Sequence, residues 1–268
     1  MRSNPNFTYN NVSHIDSIRD LMQQAVTKAG DQLAFIYKRN NQVVEVTYNQ
    51  FNDDIEALGT ALTALGMHTA HIACIGENRY EWLVTYLTAL QSAGVFVPLD
   101  NELPDEDLLF LLKESESGIV FHTEKRAELL RANRDQLPDI RYFVNFDRTV
   151  SDGDFLAYSA LINQGRAMDK SAYRAQRSDP HALKDLVYTS GTTGVAKGVM
   201  LSEHNIVSGI YYGMMVSTIY TRGLSVLPYH HTYAAVPEIL VSLHKHCTIC
   251  INDSLFAVLK NLQQFKPD

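Results

Sequence analysis

Tyr188-Thr189-Ser190-Gly191-Thr192-Thr193-Gly194-Val195-Ala196-Lys197-Gly198-Val199 is the stretch that decides how this chain is read. After the tyrosine it holds four hydroxyl side chains, three glycines and one lysine. Glycines let backbone N–H groups turn toward an anion with no Cβ in the way. Hydroxyls donate to phosphate oxygens, and lysine adds a mobile point charge. Such a loop suits a polyphosphate. It is not a Walker loop, which requires G-x-x-x-x-G-K-[ST]. Here Lys197 follows Gly194 by three residues and is itself followed by Gly198. The flanks Leu186-Val187-Tyr188 and Val199-Met200-Leu201 read as short strands, and the next helix waits for a cap at Ser202. The loop therefore joins two strands and faces no helix dipole, so Lys197 and the backbone donors carry more of the anion binding.

Upstream, apolar spacing predicts a helix over Ile15, Ile18, Leu21, Met22 and Ala25, with Ser13 and Asp16 as a capping box and Gly30 as its stop. Leu33 to Tyr37 and Val43 to Thr47 predict a hairpin, with a longer loop around Asn40-Asn41. Thr47 with Gln50 caps a helix that ends at Gly66. Strands at His71–Ile75, Val95–Leu99, Ile119–His122 and Ile140–Phe146 then alternate with helical patterns, one of them opened by Pro104 at a first helical position. This alternation predicts an α/β fold of mostly parallel sheets covered by helices. The stretch from Asp147 to His181 reads as linker-like, with one short helical pattern from Phe155 to Ile162. The expected division is residues 1–180, a first α/β subdomain with the N-terminal hairpin, and residues 181–268, the start of a second carrying the phosphate-binding loop. The ending Lys266-Pro267-Asp268 follows a helical pattern directly and reads as interrupted.

Composition removes other classes. A net charge of −7 without a basic stripe argues against nucleic acid as a partner. No apolar run approaches the ~18 residues of a membrane span. The polar start Met1-Arg2-Ser3-Asn4 is not a secretory signal, and three cysteines make no disulfide scaffold, so a reducing cytoplasm is expected.

At Ser190 to Gly198 the sequence resembles the adenylate-forming superfamily: acyl- and aryl-CoA synthetases, luciferase and the adenylation domains of peptide synthetases. That group's signature is a Ser/Thr/Gly-rich run ending in Lys-Gly; Ala196 stands where it often has proline. The likeness extends to Val46-Thr47-Tyr48 before Leu65-Gly66, to Glu77-Asn78-Arg79-Tyr80-Glu81-Trp82, and to Gly94-Val95-Phe96-Val97-Pro98-Leu99. Leu227-Pro228-Tyr229-His230-His231-Thr232-Tyr233 looks most like long-chain fatty acyl-CoA synthetases.

The resemblance implies the N-terminal, incomplete domain of an AMP-forming acid–thiol ligase. A carboxylate, here a long-chain fatty acid, is activated as acyl-AMP and then transferred to coenzyme A. Thr189, Ser190, Gly191, Thr192, Thr193, Gly194 and Lys197 are the expected ATP-binding residues, with Thr189 nearest Mg²⁺. His231 is expected to contact the carboxylate or adenylate, and Tyr233 to line the acyl pocket. Lys197 and His231 are the catalytic candidates, while His230 reads as a packed or surface histidine. The implied partners are the small-molecule carboxylate and a C-terminal part of the same chain. Downstream segments for ribose, Mg²⁺ and the hinge lie outside the 268 residues, so this portion alone is expected to bind ATP weakly and to form no acyl-AMP. Contact with a membrane surface is compatible with a lipid substrate, although no amphipathic anchor is evident.

Two other readings stand beside this one. Cys247 and Cys250 have C-x-x-C spacing with His244 and His246 close by, yet an apolar strand there would put the two thiols on opposite faces. A short module using the same loop only to bind nucleotide or phosphate, or one with a dead loop serving interaction, is the alternative function. Trp82 reads as helix-face core.

Overall fold

The computed structural model describes residues 9–189, 196–218, 220–252 and 254–268. Eleven strands fall into two sheets among these residues. The larger has the order β7-β6-β5-β3-β4-β8-β9 and contains β3 (His71–Ile75), β4 (Val95–Leu99), β5 (Ser117–His122), β6 (Tyr142–Asn145), β7 (Phe155–Ala157), β8 (Leu183–Thr189) and β9 (Lys197–Ser202). All neighbours in it are parallel except β8 and β9. The smaller has the order β10-β11-β1-β2, from β10 (Arg222–Ser225), β11 (Thr248–Ile251), β1 (Leu33–Arg39) and β2 (Gln42–Thr47).

The larger sheet is buried on both faces. Side chains alternate across a strand, so Ile72, Cys74, Phe96, Ile119 and Phe121 enter one core. Their neighbours Ala73, Ile75, Val97 and Val120 enter another. The second core is closed by Leu108, Leu111 and Leu112 of α4 (Asp105–Glu114) and Leu130 of α5 (Ala127–Ala132). The first is closed by α2 (Tyr48–Ala64) and α3 (Tyr80–Gln91) and continues to α1 (Ile18–Ala29) and to the smaller sheet. The expected α/β fold of mostly parallel, helix-covered sheet is thus the fold observed.

The sheets do not follow the division at residue 180. The hairpin β1–β2 lies beside β11, with Phe35 opposite Ile249, while β8 lies beside β4, with Phe96 opposite Asp185. Each half of the chain lends strands to the other's sheet.

Local expectations differ in five places. The cap of α1 is Ser17, whose hydroxyl accepts from Asp20 N–H at 3.0 Å, and not Ser13 with Asp16. Ile15 is buried all the same, but ahead of the helix. Gly30 is right-handed, φ −49°, so it is no left-handed stop; a Cβ there would sit 2.6 Å from Asn49 Oδ1. The hairpin turn is two residues, not a longer loop. Asn40 and Asn41 take φ of 51° and 64°, the paired positive values of a type I′ turn, whose twist matches that of the strands. Residues 147–181 are not a linker. They supply the parallel edge strand β7, then α6 (Tyr158–Ala167) packed on α2, then α7 (Ser171–Arg174). The helical pattern from Phe155 begins as a strand because Phe155 pairs with Phe143 of β6. Pro104 is the N-cap of α4, one residue ahead of the first helical position expected for it, while at two other helix ends the local chemistry operates as read. The Thr47–Gln50 capping box is present in both directions, and Gly66 takes φ 69° after α2.

Candidate active site

The hydroxyl and glycine run is held by a β-hairpin. β8 and β9 pair antiparallel, with Thr189 opposite Lys197 and Tyr188 opposite Gly198. The helix waits for Ser202, whose side chain caps α8 (Glu203–Val216) in a box with Asn205. Ser190, Gly191, Thr192, Thr193 and Gly194 lie outside the described residues. Their two anchors do not. Thr189 Oγ1 lies 3.5 Å from Lys197 O at the strand ends. Lys197 is exposed and forms no ion pair with any described residue, so its ammonium is available to an anion.

Parallel pairing decides which edge this hairpin leaves from. β8 runs alongside β4, so Thr189 emerges at the same carboxyl edge as Asp100, which follows β4. β3 runs parallel to β4 and delivers Gly76, Glu77 and Asn78 to that edge too. Ligands of open α/β sheets bind outside the carboxyl ends of their strands. The smaller sheet meets this edge with the carboxyl ends of its own parallel strands: Val226 after β10 and Asn252 after β11.

Between the two edges lies a cavity of about 410 Å³, lined by Asn78, Asp100, Asn101, His230, His231 and Leu255 among others. Asn101 Oδ1 is buried there without a hydrogen-bond partner among the described residues. The rings of His230 and His231 stand 4.3 Å apart, and His230 Nε2 is 3.7 Å from Asp100 Oδ2. Burial pushes the His230 imidazole below its ordinary pKa; Asp100 pulls it back up and His231 adds to the lowering. His230 is therefore neutral near pH 7 and can accept as well as donate. His231 is exposed at the cavity mouth. Tyr233 is 69% exposed and is not among the residues lining this cavity. Directly after it, Ala234–Leu240 form a π-helical segment containing Pro237, whose missing N–H loosens the helical ladder.

The sequence reads His230 as a packed or surface histidine; it is half-buried beside Asp100 and lines the same cavity as His231. Asn78, Asp100 and Asn101 carry no role in the sequence reading; only their proximity in three dimensions gives them one. A larger concavity of about 770 Å³ opens beneath the β1–β2 turn. Its arginines are already engaged: Arg39 and Arg79 with Glu81, Arg79 also with Asp147, Arg148 with Glu124, and Arg166 with Asp54. Cys247 and Cys250 meet different surroundings, Cys247 Sγ lying 2.7 Å from Tyr220 O and Cys250 packing with Ile36 and Phe265.

A family model described as AMP-binding enzyme matches residues 22–268. The chain belongs to the AMP-binding enzyme family. It is similar to acyl-CoA ligases in sequence and in fold. The long-chain-fatty-acid–CoA ligase ACSBG2 of Xenopus laevis is 26% identical over 196 residues, covering 71% of this chain and 26% of that protein. The long-chain-fatty-acid–CoA ligase ACSBG1 of Rattus norvegicus is 24% identical over 249 residues, covering 88% and 34%. Tyrocidine synthase 3 of Brevibacillus parabrevis is 26% identical over 194 residues, 72% of this chain and 3% of that one. Among solved structures, an anthranilate CoA ligase bound to anthranoyl-AMP superposes with TM-score 0.83 at 17% identity, over 97% of this chain and 49% of that one. The N-terminal domain of FACL13 from Mycobacterium tuberculosis gives 0.78 at 19%, over 94% and 62%. This AMP-binding enzyme chain thus spans about a third or less of the length of the two long-chain ligases. Among the described residues no helix is long and apolar enough to cross a membrane.

One titratable group near the phosphate hairpin stands apart from the chemistry. Asp185 of β8 is buried, its Oδ1 has no partner among the described residues, and burial pushes its carboxyl up to about 8. The adjacent Lys184 does not pair with it, but donates to Ser92 O at 2.6 Å. In the unfolded chain Asp185 ionises near its ordinary value of about 3.9, while in the fold it holds its proton to about 8. The folded state therefore binds the extra proton between these limits, and stability falls as pH rises through that window. Asp185→Asn removes the titration. Its unfolding free energy from urea titration, relative to the parent, is expected to rise from pH 5 to pH 8, by a difference on the order of several kcal/mol. A pH-independent difference rejects the assignment.

Proposed function

We propose that this chain is the ATP-binding portion of an AMP-forming ligase that activates a carboxylic acid, a long-chain fatty acid, as acyl-AMP and passes it to coenzyme A. The observation that carries the reading is the shared carboxyl edge. The Thr189–Lys197 hairpin and the His231 cavity both open there. The long-chain ligases among the relatives support the choice of acid.

ATP supplies the electrophilic α-phosphorus and pyrophosphate as its leaving group. The donor set suits that group: a hydroxyl at Thr189 and an ammonium at Lys197 with no ion pair among the described residues. Lys197, with Ser190, Thr192, Thr193 and the amides of Gly191 and Gly194, binds the β- and γ-phosphates and offsets their charge. Thr189 would hold Mg²⁺ through its hydroxyl. His231 orients the carboxylate or adenylate at the cavity mouth, with Tyr233 facing the acyl chain beyond the described cavity. Chemistry of this kind is mostly positioning and charge stabilisation, and a preorganised donor of this type is worth roughly 10²–10³ in rate.

The test is equilibrium binding of a non-hydrolysable ATP analogue, with pyrophosphate exchange measured alongside. Weak binding, weakened a further ~10-fold or more by Lys197→Ala, is expected, as for loss of a charge-assisted contact. Exchange is expected to be absent from the 268-residue chain. Binding indifferent to Lys197 would reject the reading of the hairpin; exchange by the chain alone would reject its dependence on further sequence.

A further inference from the structure

Asn78 belongs to no strand or helix; it follows β3 at the carboxyl edge of the larger sheet. Its side-chain amide donates to Leu227 O at 2.8 Å, and its Oδ1 accepts from Tyr229 N–H at 2.9 Å. Those two backbone groups flank Pro228, which opens the turn closed by His231 N–H on Pro228 O at 3.1 Å. One planar amide thus grips both sides of the turn that presents His230 and His231. A second grip lies one turn along, in α3, where the Trp82 ring packs 5.4 Å from that of Tyr229 at a tilt of 52°, both buried. The start of α3 is itself fixed, because Glu81 is buried between Arg79 and Arg39.

We propose that Asn78 is a positioning residue that sets the histidine turn of the smaller sheet against the Asp100 edge of the larger one. The role in turnover rests on the reading of His231 given above. Asparagine suits the place because it offers one donor and one acceptor in a plane. An ionised aspartate would turn a second acceptor toward Leu227 O, and alanine would offer neither. The two segments Glu77–Trp82 and Leu227–Tyr233, about 150 residues apart, therefore form one device: the first is the seat and the second presents the reacting side.

The experiment uses the 268-residue chain, with amide hydrogen exchange at Tyr229 and NMR titration of the histidine rings. In Asn78→Ala, protection of the Tyr229 amide is expected to fall by roughly 10-fold or more, the factor for losing an ordinary hydrogen bond. The His230 titration is expected to move up toward the usual histidine range as the turn opens to water. The charged groups facing it, Asp100, His231, Glu77 and Glu102, remain in place. A change in global stability alone would leave that titration of the folded chain where it was. Asn78→Gln keeps donor and acceptor on an arm one bond longer; it is expected to preserve Tyr229 protection while displacing both ring resonances. Parent-like protection and parent-like resonances in both variants would overturn the proposal. Palmitoyl-sulfamoyl-adenosine reads the functional assignment separately. If the parent's His231 resonances do not move with it, the carboxylate role of His231 fails, whatever the Asn78 variants show.

Discussion

Gly165→Ala is expected to destabilise the chain by about 3 kcal/mol or more, the upper end of what overpacking costs. Gly165 lies on the face of α6 that crosses α2. A Cβ there would stand 1.8 Å from Ala57 O and 2.6 Å from Ala57 C. Both are backbone atoms of a buried helix turn, so no side-chain rotation relieves the clash; the two helices must separate. Separation would also pull Tyr173, which packs against Gly59 of α2, out of its buried place. Urea unfolding monitored by far-UV circular dichroism measures the loss. Gly223→Ala serves as the comparison, since a Cβ at Gly223 meets nothing within 4 Å. It should stay within about 0.5 kcal/mol of the parent. A cost for Gly165→Ala below about 1 kcal/mol would mean that α6 and α2 are not in contact at this crossing.

The second large effect is at Trp82. Its ring is fully buried and touches Tyr86, Phe96 and Tyr229, with centroids 5.2, 5.0 and 5.4 Å away. Phe96 belongs to the larger sheet, and Tyr229 follows the smaller one, so this indole fills the joint between them. Trp82→Ala is expected to cost about 3–5 kcal/mol, a substantial share of the roughly 5–15 kcal/mol that holds a domain folded. It should also release the Tyr229 side of the histidine turn. Trp82→Phe should recover part of the loss by refilling the joint. Because Trp82 is the single tryptophan, the unfolding has to be followed by circular dichroism and not by indole fluorescence. A cost under about 1.5 kcal/mol for the alanine variant would show that the joint is packed by other residues.

Much is legible where local chemistry and burial point the same way. The strand limits of β3 and β4 are readable because both are short apolar runs between helices, buried on both faces. The caps at Thr47 and Ser202 are readable because an N-cap is satisfied within three residues. The two-strand setting of the hydroxyl and glycine run is readable because its apolar flanks are local.

Other features depend on partners far along the chain. Helix α1 starts four residues later than its local pattern suggests, and in the fold Ile18 N–H at its first turn is satisfied by Glu203 Oε1 at 2.9 Å, 185 residues away. Phe155–Ala157 became a strand because β6 offered it a free edge, a choice no local propensity records. The candidate site divides along the same line. Lys197 and His231 are named by their motifs. Asp100, Asn101 and Asn78 come to light only when parallel pairing brings the carboxyl ends of β3, β4 and β8 to one edge and sets β10 and β11 against it. The class of fold was legible from residues only a few positions apart, because side-chain type and apolar period are local properties. The tertiary structure alone decided which polar groups share a cavity, because strand order and sheet exchange are settled by burial across the whole chain.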